Sequence, residues 1–232
     1  MLKIKNISKE YSGQVVLNIP ELNIERGESF GLVGNNGAGK TTLFRILLDL
    51  IKTNTGVVSS KNERVAGSEH WKGYTGSYLD EGFLIDFLTA EEYFQFVGAI
   101  NGLSSGDIED FMERFKPFFD EEVLGKKKYI RDFSKGNQKK IGITAAIMTQ
   151  PEVLILDEPF SNLDPSTQIR LKKLLRSMQE DQNVTMLISS HDLNHVTEVC
   201  DRIVVLDHGE VVHDIKTSES TLQDLEDYFS VE

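Results

Sequence analysis

The sequence predicts an α/β fold with a mostly parallel sheet and a helical insertion, on three observations. Short apolar runs alternate with stretches of helical period: residues 30–33 precede 43–51, and 153–156 precede a helix carrying Leu171, Leu174, Leu175 and Met178. A glycine-rich turn, Gly34-Asn35-Asn36-Gly37-Ala38-Gly39-Lys40-Thr41-Thr42, joins the first such run to the first such helix. Residues 86–150, by contrast, carry helical patterns alone.

At 232 residues the chain can hold one large domain with an inserted lobe. We expect a single domain over 1–232, with a core made of 1–85 and 151–232 and a helical lobe at 86–150. The formal net charge of −12 argues against a general nucleic-acid binder, which usually shows basic bias. The single cysteine, Cys200, shares a helical pattern with Leu193, Val196 and Val199, which suits a core residue better than a nucleophile. No signal segment is visible, and no apolar run approaches the ~18 residues of a membrane span. The expectation is a soluble, cytosolic chain that reaches a membrane only through a partner.

Taken in order, residues 2–33 read as short strands joined by turns. Leu2 and Ile4 alternate with lysines, 15–17 form an apolar run, and Leu22 and Ile24 alternate again before Arg26-Gly27. Tyr11 falls on the turn between the first two strands and, alone, is an ordinary surface aromatic. After the first helix, Thr53-Asn54-Thr55-Gly56 turns into Val57-Val58, and residues 59–73 carry no clear period. Residues 76–79 read as a strand, followed by Asp80-Glu81-Gly82. In the lobe, Thr89-Ala90-Glu91-Glu92 is a capping box, and Asn101-Gly102 ends its helix. Ile108, Phe111, Met112 and Phe115 share one helical face, which Pro117 is expected to close. These aromatics read as packing, and Lys126-Lys127-Lys128 as a solvated face. Ile141, Thr144, Ala145 and Met148 define a further helix, stopped by Gln150-Pro151.

The run 153–156 fits a central parallel strand covered on both sides. Asp164-Pro165 supplies an N-cap and an N1 proline for the next helix. Residues 185–189 and 203–206 read as two more strands, and Leu222, Leu225 and Phe229 as a last helix. His70, His195, His208 and His213 show no metal spacing and read as ordinary surface or helix residues.

Chemistry concentrates at strand ends. The glycine turn reads G-x-x-x-x-G-K-T, the phosphate-loop pattern, so its backbone N–H groups and the following helix N-terminus can cradle phosphates. Lys40 would reach the β- and γ-phosphates, and the Thr41 hydroxyl would sit on Mg²⁺. The strand at 153–156 ends in two carboxylates of different use. Asp157 can hold Mg²⁺ through its water shell, and Glu158 can orient and deprotonate a water attacking the γ-phosphate. A third strand ends at His191, whose ring N–H could touch the γ-phosphate as charge develops.

The ordered segments GNNGAGKTT, FSKGNQ, VLILDEP, SNLD and SSH resemble the ATP-binding subunit of ABC transporters, from Tyr11 to about Gly209. The resemblance implies a P-loop NTPase core of RecA-like type, a small antiparallel β-subdomain and an inserted helical subdomain. It implies that Tyr11 stacks on adenine. Glu81 stands where the family usually has the glutamine of the loop joining core to lobe, and so keeps an oxygen for Mg²⁺ or water. Ser134 and Gly136 match the signature motif, which faces the γ-phosphate of ATP held by the opposite subunit. Asp164 matches the loop that crosses between subunits, and His191 the switch histidine.

The implied partners are a second copy, closing over two ATP molecules, and a polytopic membrane permease touched near residues 81–87. The chain would then sit in the cytoplasm, peripheral to the inner face of the membrane, with no insertion of its own. Two departures stand out: Lys135 and Asn137 alter the usual LSGGQ signature, and Glu81 replaces glutamine. Both are similar to single-domain ATPases of bacterial exporters. A soluble ABC-type ATPase of the cofactor-assembly kind remains the alternative. A GTPase would want an N-K-x-D motif, and none is found.

Overall fold

A computed structural model describes residues 1–230. Strands β1 (Leu2–Tyr11), β2 (Gln14–Ile24), β4 (Thr55–Ser60) and β5 (Glu63–Arg64) form an antiparallel sheet in the order β2-β1-β4-β5. Residues 14–24 are therefore one strand rather than two short ones. The apolar alternation shifts phase inside it, from Leu17 and Ile19 to Leu22 and Ile24, and β1 shifts with it, from Leu2 and Ile4 to Ile7. The shift sits at Asn6, which takes a φ of +50°, between the pairs Lys5–Glu21 and Ile7–Ile19. Pro20 stands opposite that irregularity on an edge strand, where a residue without an N–H is tolerated. Residues 59–73, patternless in sequence, hold the β4–β5 hairpin and a 3₁₀ turn, His70–Tyr74, that buries Trp71.

The second sheet contains β3 (Ser29–Val33), β6 (Thr75–Tyr78), β7 (Val153–Leu156), β8 (Thr185–Ser190), β9 (Arg202–Asp207) and β10 (Glu210–Lys216). Its order is β10-β9-β3-β8-β7-β6, parallel throughout except for β10 on β9. Central strands are covered on both faces, so consecutive residues serve two different cores. Val153, Ile155, Val204 and Leu206 face the antiparallel sheet and helix α1 (Lys40–Leu47). Leu154, Leu156, Ile203 and Val205 face the remaining helices.

Between β6 and β7 the chain is helical: α2 (Ala90–Ile100), α3 (Ser105–Phe119) and α4 (Lys135–Met148). The expected capping box opens α2, with Thr89 and Glu92 each satisfying the other's backbone N–H. Pro117 does not close α3; the helix runs two residues past it, because Phe118 and Phe119 are buried in the lobe core. Helix α4 is buried on every side from Gln138 to Met148 and lies against β6. After β7 come α5 (Pro165–Gln182), α6 (Leu193–Val199) and α7 (Thr221–Ser230). Asp164 and Pro165 occupy the expected N-cap and N1 positions of α5. No helix among the described residues is long and apolar enough to cross a membrane.

The contact of α4 with β6 depends on Gly76, where an added Cβ would lie 2.1 Å from the Ala146 carbonyl oxygen. Gly76→Ala must push α4 off the sheet edge. We expect a loss of about 1–3 kcal/mol, read as a lower urea midpoint at unchanged slope.

Candidate nucleotide-binding site

Residues 34–39 leave the buried end of β3 and enter α1. Gly34 lies so close to the chain at Leu206 that a Cβ would meet its carbonyl oxygen at 2.2 Å. Gly39, the N-cap of α1, takes a φ of +108°, a conformation reserved for glycine. No side chain caps that terminus, which leaves the first N–H groups of α1 available to an anion. Lys40 is 7% exposed and donates to the Gly34 carbonyl at 2.6 Å and the Asn35 carbonyl at 3.3 Å. Burial lowers its pKa from the ordinary lysine value, and the charges of Glu158 and Asp157 oppose that shift.

The ends of β7 and β8 meet this loop. Asp157, 5% exposed, accepts from Thr41 Oγ1 at 2.6 Å and, on its other oxygen, from the Ser189 hydroxyl. Ser189 in turn accepts the Glu158 backbone N–H at 3.0 Å. Glu158 has a φ of +48°, unusual for a residue with a side chain. Its carboxylate lies 2.8 Å from His191 Nδ1 and 4.0 Å from Lys40 Nζ. An open groove of about 340 Å³ runs over these groups, lined by Tyr11, residues 36–42, Asp157 and Glu158. The Thr41 hydroxyl and the Asp157 carboxylate are oxygen donors of the kind Mg²⁺ takes while keeping most of its own water.

The other sequence-predicted residues fall outside this group, Tyr11 excepted. Tyr11 ends β1 on the groove's rim, half exposed, with Lys9 Nζ 4.8 Å from its ring centroid. Ser134 is the N-cap of α4 and accepts from Asn137 N at 3.3 Å. Gly136 packs on the loop after β7, where a Cβ would meet the Asn162 carbonyl oxygen at 2.6 Å. Neither lines the groove. Asp164 spends its carboxylate on Ser166 and Thr167, which hold its pKa well below the usual carboxylate range.

Glu81 accepts from the Tyr78 hydroxyl at 2.9 Å and lies 3.9 Å from Lys135, and no hydrogen bond or ion pair joins it to Thr41 or Asp157. Of the three residues that depart from the family pattern, Glu81 and Lys135 thus lie beside each other, and Asn137 is not part of the pair. Burial first, and then the Glu81 charge, push the Tyr78 phenol far above its ordinary value, so it stays a donor.

Three residues with a place at the site escaped sequence reasoning. Ser189 opens the SSH segment that carries part of the resemblance, yet it is given no role there. Ser161 donates to the Glu158 carbonyl at 3.0 Å. Lys139, 4% exposed on α4, donates to the same carbonyl at 2.7 Å and to Ser161 Oγ at 2.6 Å. Burial lowers the pKa of Lys139, against the charges of Glu81, Glu158 and Asp157. Cys200 is buried at the end of α6, its thiol pushed up to about 12 by burial, which removes it as a nucleophile.

A phosphate loop leading from β3 into α1, with acidic residues at the end of a parallel strand, defines a P-loop nucleotide hydrolase. Residues 17–161 match the family model described as ABC transporter, and the chain belongs to that family as an ATP-binding cassette of the ATPase class. It is 34% identical over 193 residues to an uncharacterized ABC transporter ATP-binding protein of Synechocystis, covering 82% of this chain and 53% of that one. It is 31% identical over 230 residues to the bacitracin transport ATP-binding protein BcrA of Enterococcus faecalis, covering 94% of this chain and 70% of that one. The chain thus spans about half the length of the first relative, at 53%, and more of the second, at 70%. The dimeric post-hydrolysis structure of the ATP-binding cassette MJ0796 with ADP and Pi superposes with a TM-score of 0.84 at 25% identity, over 94% of this chain and 99% of that one.

Lys40→Ala removes the one buried cation of the loop. ATP affinity should fall about 10–100-fold by titration calorimetry, the worth of a charge-assisted hydrogen bond. Unchanged affinity would remove Lys40 from phosphate binding.

Proposed function

We propose that the chain is the ATP-hydrolysing subunit of a membrane transporter, working as a homodimer that closes over two ATP molecules. The observation that carries this reading is the meeting of three parallel strand ends, where Thr41 reaches Asp157 at 2.6 Å and His191 reaches Glu158 at 2.8 Å. In this reading Tyr11 stacks on adenine at the groove rim. The N–H groups of residues 34–42 and the Lys40 ammonium take the phosphates. Thr41 and Asp157 would hold Mg²⁺, which would supply positive charge against the phosphates. Glu158 accepts a proton from the attacking water, while His191 orients its carboxylate and faces the γ-phosphate. Binding groups and base then surround one phosphate, and the rate comes from positioning and charge complementarity.

Ser134 and Gly136 lie outside the chain's own groove, which supports their service to a nucleotide held by the second copy. The permease would dock near residues 81–87, where Phe83 and Phe87 are 53% and 61% exposed. The chain is then peripheral to the inner face of the membrane. The direction read here is export, on the likeness of its altered signature, Lys135 with Asn137, and of Glu81 to single-domain ATPases of bacterial exporters.

Glu158→Gln keeps the shape of the base but not its proton affinity. With Mg-ATP, size-exclusion chromatography should show this variant shifting to a dimer, with hydrolysis lost. A persistent monomer with ATP bound would overturn the homodimer, and wild-type hydrolysis would overturn Glu158 as base. Co-purification with a polytopic membrane protein separates a transporter subunit from a soluble assembly ATPase.

A further inference from the structure

Lys139 belongs to the helical lobe by position and to the catalytic loop by contact. It lies within the first two turns of α4, whose N-cap is Ser134. Its ammonium nevertheless reaches the loop after β7, donating to the Glu158 carbonyl at 2.7 Å and to Ser161 Oγ at 2.6 Å. The Tyr78 ring centroid lies 5.9 Å from the same nitrogen. Ser161 donates to the same carbonyl at 3.0 Å, so two donors converge on one oxygen. From the opposite side Ser189 accepts the Glu158 N–H. Both peptide groups of Glu158 are therefore gripped, at a φ of +48° that costs a side-chain-bearing residue some strain.

A lysine rarely reaches 4% exposure unless its charge is answered. Among the described residues no ion pair involves Lys139; the carboxylates of Glu81, Glu158 and Asp157 favour its charge from further off, and its direct bonds go to two neutral oxygens of one loop. Packing alone is served as well by methionine, which has a similar unbranched stem. The charge is kept where it orients a carbonyl.

We propose that Lys139 is a positioning residue for ATP hydrolysis, clamping the backbone of Glu158 to the helix that carries Ser134. The inference rests on Glu158 acting as the base. It makes α4 a single rigid element with two duties: its N-terminus meets the second copy's nucleotide, and its second turn sets the base of its own site. Displacement of α4 moves the Glu158 carboxylate with it.

The test is steady-state ATPase kinetics of the full chain for Lys139→Met, Lys139→Gln and Ser161→Ala, with Glu158→Gln in parallel. Lys139→Met should lower kcat about 10–100-fold with KM within about threefold, the value of a lost charge-assisted hydrogen bond to the base's backbone. Lys139→Gln, which restores an N–H donor, should recover at least about a third of the wild-type kcat. Ser161→Ala, with Lys139 intact, should cost about 3–10-fold in kcat and serves alone if the methionine variant does not fold. Thermal melting and ATP binding should stay near wild type in the glutamine variant.

Wild-type kcat in Lys139→Met overturns the proposal. So does a glutamine variant as impaired as the methionine one, or a fall in kcat matched by a rise in KM and a lower melting temperature. If Glu158→Gln itself hydrolyses ATP normally, the base assignment fails instead, and the two failures are told apart.

Discussion

The interaction on which the site depends is the burial of the Asp157 carboxylate. A carboxylate at 5% exposure is costly, on the order of several kcal/mol, unless each oxygen is answered. Thr41 answers one oxygen and Ser189 the other. Those hydroxyls come from the start of α1 and the end of β8, so neutralising one group locks three chain segments in register. The parallel order β3-β8-β7 makes this possible, because all three strands end on the same side of the sheet. Glu158 and His191 then inherit their places, one residue beyond Asp157 and two beyond Ser189.

The helical lobe touches this arrangement at few points, and those points carry charge or close contact. Gly136 lets α4 approach the Asn162 carbonyl, Lys139 holds the Glu158 carbonyl, and Lys135 answers Glu81. Glu81 sits in the connection from β6 to the lobe, and Tyr78, the last residue of β6, donates to it. A substitution read in sequence as an isolated oddity becomes half of a pair once the other half is seen. The cation at position 135 and the anion at position 81 lie 3.9 Å apart.

Much of this was legible in the sequence, for physical reasons that differ by element. The phosphate loop and the run 153–156 were clear because glycine geometry and double-sided burial leave local signatures. The capping box at Thr89 and the start of α5 at Asp164 were equally local. The split of β2 arose because an irregularity reverses which residues face inward, and alternation alone cannot tell a phase shift from a turn. Pro117 misled for a related reason: a proline near the end of a helix removes one hydrogen bond, and two buried phenylalanines outweigh it. Ser189 and Lys139 act through contacts made across 19 to 32 residues of chain, which no spacing rule reaches, while Ser161 reaches the Glu158 carbonyl from three residues on, by a loop turn that leaves no periodic signature.

The backbone at Glu158 sets stability and turnover in opposition. A φ of +48° suits glycine or asparagine and costs other residues on the order of 1 kcal/mol or more. Selection for thermal robustness alone would place asparagine there and discard the acid. Lys61, Lys127 and Gln150 hold a similar φ, but at position 158 the strained residue also carries the carboxylate proposed as the base, so durability and chemistry meet there. Laboratory evolution of this chain toward heat resistance would therefore need to screen for turnover whenever position 158 changes, since a gain in folding free energy there removes the acid.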